Sequence, residues 1–204
     1  MSEFRRRLMA QKKGLFPAEY TELEYVESSK TQYIDTKIVL TERNAVILNG
    51  FQNVSGVNAA IFGATNLTTY RGITIGVTGN TNRLTFGSVF EQDKLDIPNK
   101  RDSNNTYKIS GKLLQCNDVI KEINNTIKFN TINTAFLFRG SPNWPYGDFF
   151  PCRVYGLKIF EYDNLILNFI PVINPQGEIG MYDTVSCKFF GNDGTGVFTA
   201  GYKK

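Results

Sequence analysis

Residues 153–171, RVYGLKIFEYDNLILNFIP, carry the clearest signal for the fold. The two apolar-rich segments of this stretch flank Asp163-Asn164, a pair that tolerates the positive φ angles of a two-residue turn. The stretch therefore predicts an antiparallel hairpin that turns at these two residues. The register that follows pairs Tyr162 with Leu165, Phe160 with Leu167, Lys158 with Phe169, and Leu157 with Ile170.

Both faces of this hairpin carry apolar residues, which is typical of a sheet that is covered by a second layer. The rest of the chain after Pro17 shows short alternating segments bounded by Gly, Asn, Asp and Thr, with little helical periodicity. Gly79-Asn80 is expected to form a tight turn. The sequence predicts an all-β fold, a two-sheet antiparallel β-sandwich of the jelly-roll type, with strands that include 32–40, 45–51, 59–63, 72–77, 83–89 and 107–112.

Composition excludes several kinds of chemistry. The 204 residues suffice for one domain with a substantial core, and none of them is histidine. A chain without histidine has no Ser-His-Asp or Cys-His triad and few options for binding transition metals. The acids Glu22 and Glu24 have the spacing of one strand face but lack the further acidic residues of a glycosidase pattern. We therefore predict that the protein is not an enzyme and holds no metal or other cofactor.

The three cysteines, Cys116, Cys152 and Cys187, are too far apart in sequence to form a CxxC pair. We expect all three to be buried, reduced thiols. The chain has no run of 18 apolar residues, and its basic start is not followed by the apolar segment of a secretory signal, so neither a membrane span nor secretion by that route is expected.

The positive charge is confined to the N-terminus. Residues 1–13 contain five basic side chains and one acidic side chain, which together account for the whole net charge of +4. This segment has the pattern of a short amphipathic helix, but it is too short to be stable alone, so it is either a frayed end or an arm ordered by a partner. Its partner-docking residues would be Phe4, Arg5, Arg6, Arg7, Leu8, Met9, Lys12 and Lys13.

Four net charges give only weak attraction to nucleic acid or to a membrane surface, and neither is expected as a partner. The predicted boundaries are a basic arm at residues 1–16 and a sandwich domain at residues 17–204.

One loop stands out in the body of the chain: RGSPNWPYGDFF, at residues 139–150. Its tryptophan, Trp144, lies between two prolines and is followed by Tyr146 and Asp148. A stiff aromatic loop of this kind suits packing over the end of the sandwich, a protein interface, or stacking against a sugar ring, and the sequence leaves all three open. Tyr70 and Arg71 form a second candidate for an interface.

The two ends of the chain resemble a known family. PAEYTELEYVESSKTQYIDTKI at residues 17–38 and the segment from RVYGLKIFEY to TGVFTAGY at residues 153–202 are similar to the concanavalin A-like, laminin-G-like sandwich domain of gut bacteria and their phages. The resemblance implies a β-sandwich jelly roll found in phage fibre, tail and capsid-associated proteins and in large bacterial surface proteins, and it does not imply catalysis. Related lectins often use calcium, but this sequence has no clustered Asp/Asn loop for it. The matching residues Asn192, Gly194 and Gly196 are expected to have structural roles.

The resulting expectation is a non-enzymatic structural protein of a bacteriophage virion, such as a capsid-decorating, head-fibre or tail-fibre component. It would assemble in the bacterial cytoplasm, form a homo-oligomer, and dock on another virion protein through its arm. A glycan of the host surface is a further partner that the aromatic loop leaves open. The alternative is a carbohydrate-binding module or adhesin of a gut bacterium.

Overall fold

The computed structural model describes residues 16–52, 57–88, 94–98, 104–140 and 151–204. Their regular structure consists of antiparallel β-strands arranged in two sheets that pack against each other, which confirms the predicted all-β sandwich. The strands are β1 (Thr21–Glu22), β2 (Val26–Ser28), β3 (Ile34–Thr41), β4 (Asn44–Gln52), β5 (Val57–Asn66), β6 (Arg71–Gly79), β7 (Thr81–Ser88), β8 (Lys94–Pro98), β9 (Asn105–Ser110), β10 (Leu113–Cys116), β11 (Val119–Glu122), β12 (Asn130–Leu137), β13 (Cys152–Glu161), β14 (Asn164–Ile173), β15 (Ile179–Asp183), β16 (Lys188–Phe190) and β17 (Thr199–Ala200).

The larger sheet has the order β11-β10-β9-β4-β13-β14-β15-β16. Three short strands complete it: β2 pairs with the start of β13, β17 pairs with β2, and β1 pairs with the end of β14. The smaller sheet has the order β3-β12-β5-β6-β7-β8. Strands from the two ends of the chain therefore meet in the larger sheet, with the hairpin β13–β14 near its middle.

The β13–β14 hairpin forms as expected, but its predicted register and turn are wrong. The turn lies at Tyr162 and Asp163, where Tyr162 takes a left-handed φ of 53°. The observed register pairs Leu157 with Phe169, Lys158 with Asn168, Ile159 with Leu167, Phe160 with Leu165, and Glu161 with Asn164, so that Ile166 is an extra residue in a bulge.

Burial explains this register. Leu157, Ile159, Leu167 and Phe169 are each no more than 1% exposed, and the observed pairing places them opposite one another on the inner face. The predicted register would have set Lys158 opposite Phe169. A shift of one residue moves a strand's apolar side chains to the opposite face, so burial of the inner face overrides the turn preference of Asp163-Asn164.

The other strand predictions are confirmed in outline. Each of the six predicted segments overlaps an observed strand, with ends displaced by a few residues. The tight turn at Gly79-Asn80 also forms: Thr78 pairs with Thr81, and Gly79 has a φ of 60°. On β6 the buried Ile73, Ile75 and Val77 alternate with Thr74 and Gly76, as the period of a strand requires, although Gly76 is itself buried.

The core lies between the two sheets and receives side chains from both of them. Burial of one large apolar side chain contributes about 1.5–3 kcal/mol, so this shared interior is the main force that holds the sheets together. The larger sheet contributes residues such as Leu48, Tyr107, Leu157, Ile159 and Phe169. The smaller sheet contributes Ile34, Phe62, Ile73, Leu84 and Phe86.

The loop that follows β16 links the two sheets along one open side of the sandwich. Asn192 Oδ1 accepts hydrogen bonds from the backbone N–H groups of Tyr33 (3.2 Å) and Gly194 (2.8 Å), and Asp193 Oδ2 accepts one from Asp35 N–H (2.8 Å). Because β16 belongs to the larger sheet and β3 to the smaller one, these bonds connect the two layers. The predicted structural role of Asn192 and Gly194 is confirmed; Gly196 supplies a left-handed φ of 77°.

Strands β5 and β6 approach so closely that β6 requires glycine at Gly72. A Cβ atom added there would clash with the carbonyl oxygen of Ala64. At Gly111, by contrast, an added Cβ would make ordinary contacts of 3.5 Å with the ring of Phe86.

We therefore expect Gly72→Ala to lower the free energy of unfolding by about 2 kcal/mol or more, because the backbone of β5 must move to relieve the clash. The matched control Gly111→Ala should change it by less than about 1 kcal/mol. Urea unfolding followed by circular dichroism measures both changes, and equal losses in the two variants would contradict the close approach.

Candidate functional site

Most of the predicted contact residues lie outside the described part of the chain. This holds for the arm residues Phe4, Arg5, Arg6, Arg7, Leu8, Met9, Lys12 and Lys13, and for Trp144, Tyr146 and Asp148 of the aromatic loop. What the structure does give is the surroundings of the residues where these segments join the sandwich.

The arm joins the sandwich at an aromatic cluster. The ring of Phe16 lies 6.4 Å from that of Tyr182, and the ring of Tyr20 lies 5.1 Å from Tyr182 and 6.1 Å from Phe189. Tyr182 is nearly buried at 4% exposure, although it is not part of the main core between the sheets. Phe16 and Tyr20 thus pack on the outer face of β15 and β16. We call residues 16–20 the arm root.

The aromatic loop begins beside other rings. The guanidinium carbon of Arg139 lies 5.2 Å from the ring centre of Tyr33, and the ring of Tyr33 meets that of Phe136 edge to face at 5.5 Å. These contacts place Arg139, the first residue of the loop, on the outer face of the smaller sheet, where Asp35 and Phe136 are paired. Sequence reasoning singled out the loop but missed this cation–aromatic cluster.

The residues that follow the loop lie on the larger sheet. Cys152 pairs with Gln52 of β4 and Ser28 of β2. The next residue, Arg153, has its guanidinium 4.7 Å from the ring centre of Tyr25 and 5.5 Å from that of Phe51, and its Nε lies 3.2 Å from Glu27. Segment 141–150 therefore joins Gly140 to Pro151. An arginine stacked on aromatic rings lies close to each of these residues in sequence: Arg139 next to Gly140, and Arg153 two residues after Pro151.

Tyr70 and Arg71 lie at the turn from β5 to β6. Tyr70 is 43% exposed with a left-handed φ of 53°, and Arg71 begins β6, where it pairs with Asn66 and Ser88. Asn66 Nδ2 donates a hydrogen bond to the carbonyl oxygen of Asn130, so this turn also contacts the start of β12. An exposed tyrosine in this position is compatible with the predicted interface, which stays a prediction.

A cleft opens where edge strands of the two sheets face each other. It has a volume of about 520 Å³ and lies between β3 and β16. Its apolar surface comes from Ile38, Ile166, Leu167, Phe189 and Phe190, and its charged groups are Asp35, Lys37, Asp183, Lys188 and Asp193. The extra residue Ile166 of the β13–β14 bulge lines this cleft, which links its shape to the register of the hairpin.

Asp35 and Lys37 form an ion pair at the cleft. Lys37 Nζ lies 2.9 Å from Asp35 Oδ2, and the backbone N–H of Lys37 donates to Asp35 Oδ1 at 2.8 Å. Partial burial raises the pKa of Asp35, but hydrogen bonds from Lys37 and Thr134 lower it by more in total, so the pKa lies below its ordinary value of 3.8. Asp35 is therefore held as a carboxylate, which suits a structural anchor rather than a general acid.

The other two carboxylates of the cleft, Asp183 and Asp193, accept hydrogen bonds from backbone N–H groups. Asp183 is only 2% exposed and accepts hydrogen bonds from the N–H groups of Asn168 (2.8 Å), Val185 (3.1 Å) and Ser186 (3.0 Å) and from Ser186 Oγ (2.6 Å). Asp193 accepts from Asp35 N–H. The sequence Asp183-Thr-Val-Ser has the pattern of an Asx turn, a signal from which the role of Asp183 could have been predicted.

The expectation of three buried thiols is wrong for one cysteine. Cys116 and Cys152 are buried free thiols, whereas Cys187 is an exposed free thiol in the turn between β15 and β16. Burial raises the pKa of Cys116 to about 11, and burial together with the charge of Glu27 raises the pKa of Cys152. The sequence did not reveal this difference because the turn that contains Cys187, between β15 and β16, was not predicted.

Within the described ranges, no three acidic or cysteine side chains come together as a metal site would require. The same ranges contain no helix that could span a bilayer.

Comparison with known proteins adds no identification. No family model matches the chain, and a search of curated proteins found no similar protein. The resemblance to the concanavalin A-like family therefore stays a prediction, and its support from the structure is limited to the two-sheet β-sandwich architecture.

We expect Asp183→Asn to lower the free energy of unfolding by about 1–3 kcal/mol. The carboxylate now accepts hydrogen bonds from several backbone N–H groups, and an amide would place its own NH₂ donor against some of them. Asp163→Asn is the matched control, since Asp163 is an exposed turn residue, and it should change stability by less than about 0.5 kcal/mol. Chemical unfolding of both variants provides the test; an Asp183→Asn variant as stable as the wild type would show that these hydrogen bonds do not anchor the turn.

Proposed function

We propose that the protein is a non-enzymatic structural component of a bacteriophage virion, on the head or on a fibre, and that its basic arm docks it to another virion protein. The observation that carries the proposal is the arm root. Phe16 and Tyr20 are packed against Tyr182 and Phe189, so the arm starts from a fixed position on the sandwich. A tether with a fixed start loses less entropy when it docks than one that hangs from a mobile linker.

The charge distribution also supports docking through the arm. Residues 1–13 account for the net charge of +4, so the remaining chain is neutral overall. A neutral body gives a protein little general attraction to charged partners, while a concentrated basic segment with apolar residues can recognise one acidic, partly apolar surface. The arm is therefore the part of the chain best suited to select a partner.

The cleft supports a binding or structural role rather than catalysis. Acid–base hydrolysis of a glycosidic bond needs two carboxyl groups that are available to a substrate. The three carboxylates that line the cleft are engaged by Lys37, by backbone N–H groups, or by both. Their arrangement stabilises the turn between β15 and β16 and the start of β3.

Carbohydrate binding is the second candidate, and one observation favours it. Both described ends of segment 141–150 lie beside an arginine stacked on aromatic rings, with Arg139 on Tyr33 and Arg153 on Tyr25. Stacked rings next to a guanidinium group are common elements of sugar-binding surfaces. A host-surface glycan is compatible with a virion protein, so this candidate extends the first one as well as competing with it.

The docking proposal is tested by removing residues 1–13 while keeping Phe16 and Pro17, so that the arm root stays intact. We expect the shortened protein to fold with unchanged circular dichroism and to lose incorporation into particles by at least about tenfold, because the basic and apolar contacts are gone. Incorporation is measured by quantifying the protein in purified particles.

Charge reversal separates the arm's chemistry from its length. The variant Arg5→Glu/Arg6→Glu/Arg7→Glu should fail to incorporate, while the matched control Lys112→Glu/Lys158→Glu/Lys203→Glu changes three exposed lysines of the body and should incorporate normally. Full incorporation of the folded, shortened protein would refute docking through the arm.

A further inference from the structure

The arm root and the cleft between β3 and β16 lie side by side. Phe189 of β16 lines the cleft, and its ring lies 6.1 Å from that of Tyr20 in the arm root. Tyr182, on which Phe16 packs, is the strand partner of Phe189. Because Phe16 is the first described residue, the described chain begins beside the cleft.

The cleft is a gap between two strands that each end a sheet. Within the described ranges, β3 is the last strand at one edge of the smaller sheet, and β16 is the last strand at one edge of the larger sheet. The gap has a volume of about 520 Å³, which is within the range of protein sites that bind ligands. Its residues Ile38 and Ile166 are only partly buried. A segment that fills the gap would cover more of their apolar surface, which is favourable.

The charged groups of the cleft favour a basic occupant. Its three carboxylates, Asp35, Asp183 and Asp193, are accompanied by two lysines, Lys37 and Lys188, so the cleft carries one net negative charge. Lys37 is already paired with Asp35 at 2.9 Å. Asp193 is exposed, and no lysine or arginine among the described residues forms an ion pair with it. A cationic side chain placed in the cleft could therefore pair with Asp193.

The segment that precedes the arm root has matching chemistry. Residues 1–13 carry a net charge of +4, and the apolar Phe4, Leu8 and Met9 lie among the basic side chains. Lys13 is three residues before Phe16, so the basic residues begin no more than about 11 Å from the arm root. The segment thus offers both cationic groups and apolar side chains to a cleft that has exposed acidic and apolar groups.

We propose that the cleft is the binding site for the arm of the same chain, and that residues 4–13 occupy it in the free protein. Tethering favours the chain's own arm over the arm of a second copy. A short link gives a tethered segment an effective concentration in about the millimolar range, which exceeds the concentration of other copies in a dilute solution. The proposal does not rest on the proposed function, but any partner that binds the arm would have to displace it from the cleft.

A nitroxide spin label on Cys187 tests where the arm lies in the full-length protein. Cys187 is an exposed free thiol, whereas Cys116 and Cys152 are buried, so the label attaches selectively. Its sequence neighbours Ser186 and Lys188 both line the cleft. The measurement is the additional nuclear relaxation that the label causes at the backbone amide protons of residues 4–9.

The matched control is Arg5→Glu/Arg6→Glu/Arg7→Glu, which keeps the length of the tether. We expect the label to cause at least about threefold more relaxation in the wild-type arm than in the charge-reversed arm, because the carboxylates of the cleft attract the first and repel the second. Circular dichroism confirms that both proteins are folded. Equal relaxation in the two arms would overturn the proposal.

A substitution in the cleft tests the same contact from the other side. Lys188→Glu replaces an exposed cation of the cleft by a carboxylate, and Lys112→Glu is the control, an exposed lysine between β9 and β10 near the opposite edge of the larger sheet. Both are compared at the salt concentration that halves the wild-type effect, where docking can rise or fall. We expect Lys188→Glu to raise the relaxation at the arm by about 1.5-fold or more and Lys112→Glu to leave it unchanged. Equal effects of the two variants would overturn the proposal.

A mixed sample identifies the chain whose cleft is occupied. Isotope-labelled Cys187→Ser protein, which has no exposed thiol among the cysteines, is mixed with spin-labelled protein of natural isotope content. We expect little additional relaxation at the arm of the isotope-labelled copy. An effect as large as that within one chain would show that the arm binds a second copy, and it would overturn the proposal. Because no particles are present, failure here leaves docking to a virion protein untouched, and normal incorporation of the shortened protein leaves this site untouched.

Discussion

Four side chains of one hairpin determine how the larger sheet faces the smaller one. Leu157 and Ile159 of β13 lie opposite Phe169 and Leu167 of β14, and all four are essentially inaccessible to solvent. Strand β13 also pairs with β4, and β14 pairs with β15, so the inner face of four adjacent strands follows from this register. If the hairpin slipped by one residue, one strand would turn its outer side chains toward the core, so either Lys158 or Asn168 would be buried there without a partner, which is unfavourable.

The same register also shapes the surface. Because Ile166 is the extra residue of the β14 bulge, it lines the cleft between β3 and β16. The tight turn that follows β13 leaves Tyr162 exposed and in contact with Arg43. Asn192 and Asp193 connect the two layers on the side where the cleft opens, through hydrogen bonds to β3, and Asp193 itself lines the cleft. The arm root and the cleft are neighbours, because Phe189 contacts Tyr20 and also lines the cleft.

The fold was largely predictable because its signals are local. Alternating apolar residues in β6 and the Gly79-Asn80 turn were sufficient to predict those elements, and apolar residues on both faces of the 153–171 segment predicted a second layer. The hairpin register was not predictable from the turn alone, because Asp163-Asn164 is a good turn sequence while the core requires Tyr162-Asp163. The choice between the two turns depends on which side chains are buried on the inner face of the sheet. The strands that cover that face are distant in sequence, so the hairpin sequence alone does not reveal it.

The surfaces were predicted less well, for a similar reason. The interface predicted at Tyr70 and Arg71 stays a prediction, to which the structure adds that Tyr70 is exposed. The cleft was missed because its residues come from β3, β14, β15, β16 and the loop after β16, and each of them looks ordinary in its own context. Cys187 was expected to be a buried thiol like Cys116 and Cys152, yet its position in a turn exposes it.

Cross-strand nuclear Overhauser effects between backbone protons report the register of the β13–β14 hairpin. The observed register requires contacts between Leu157 and Phe169 and between Ile159 and Leu167, as expected for directly opposed residues of an antiparallel pair. Contacts between Lys158 and Phe169 and between Phe160 and Leu167, in place of these, would contradict it.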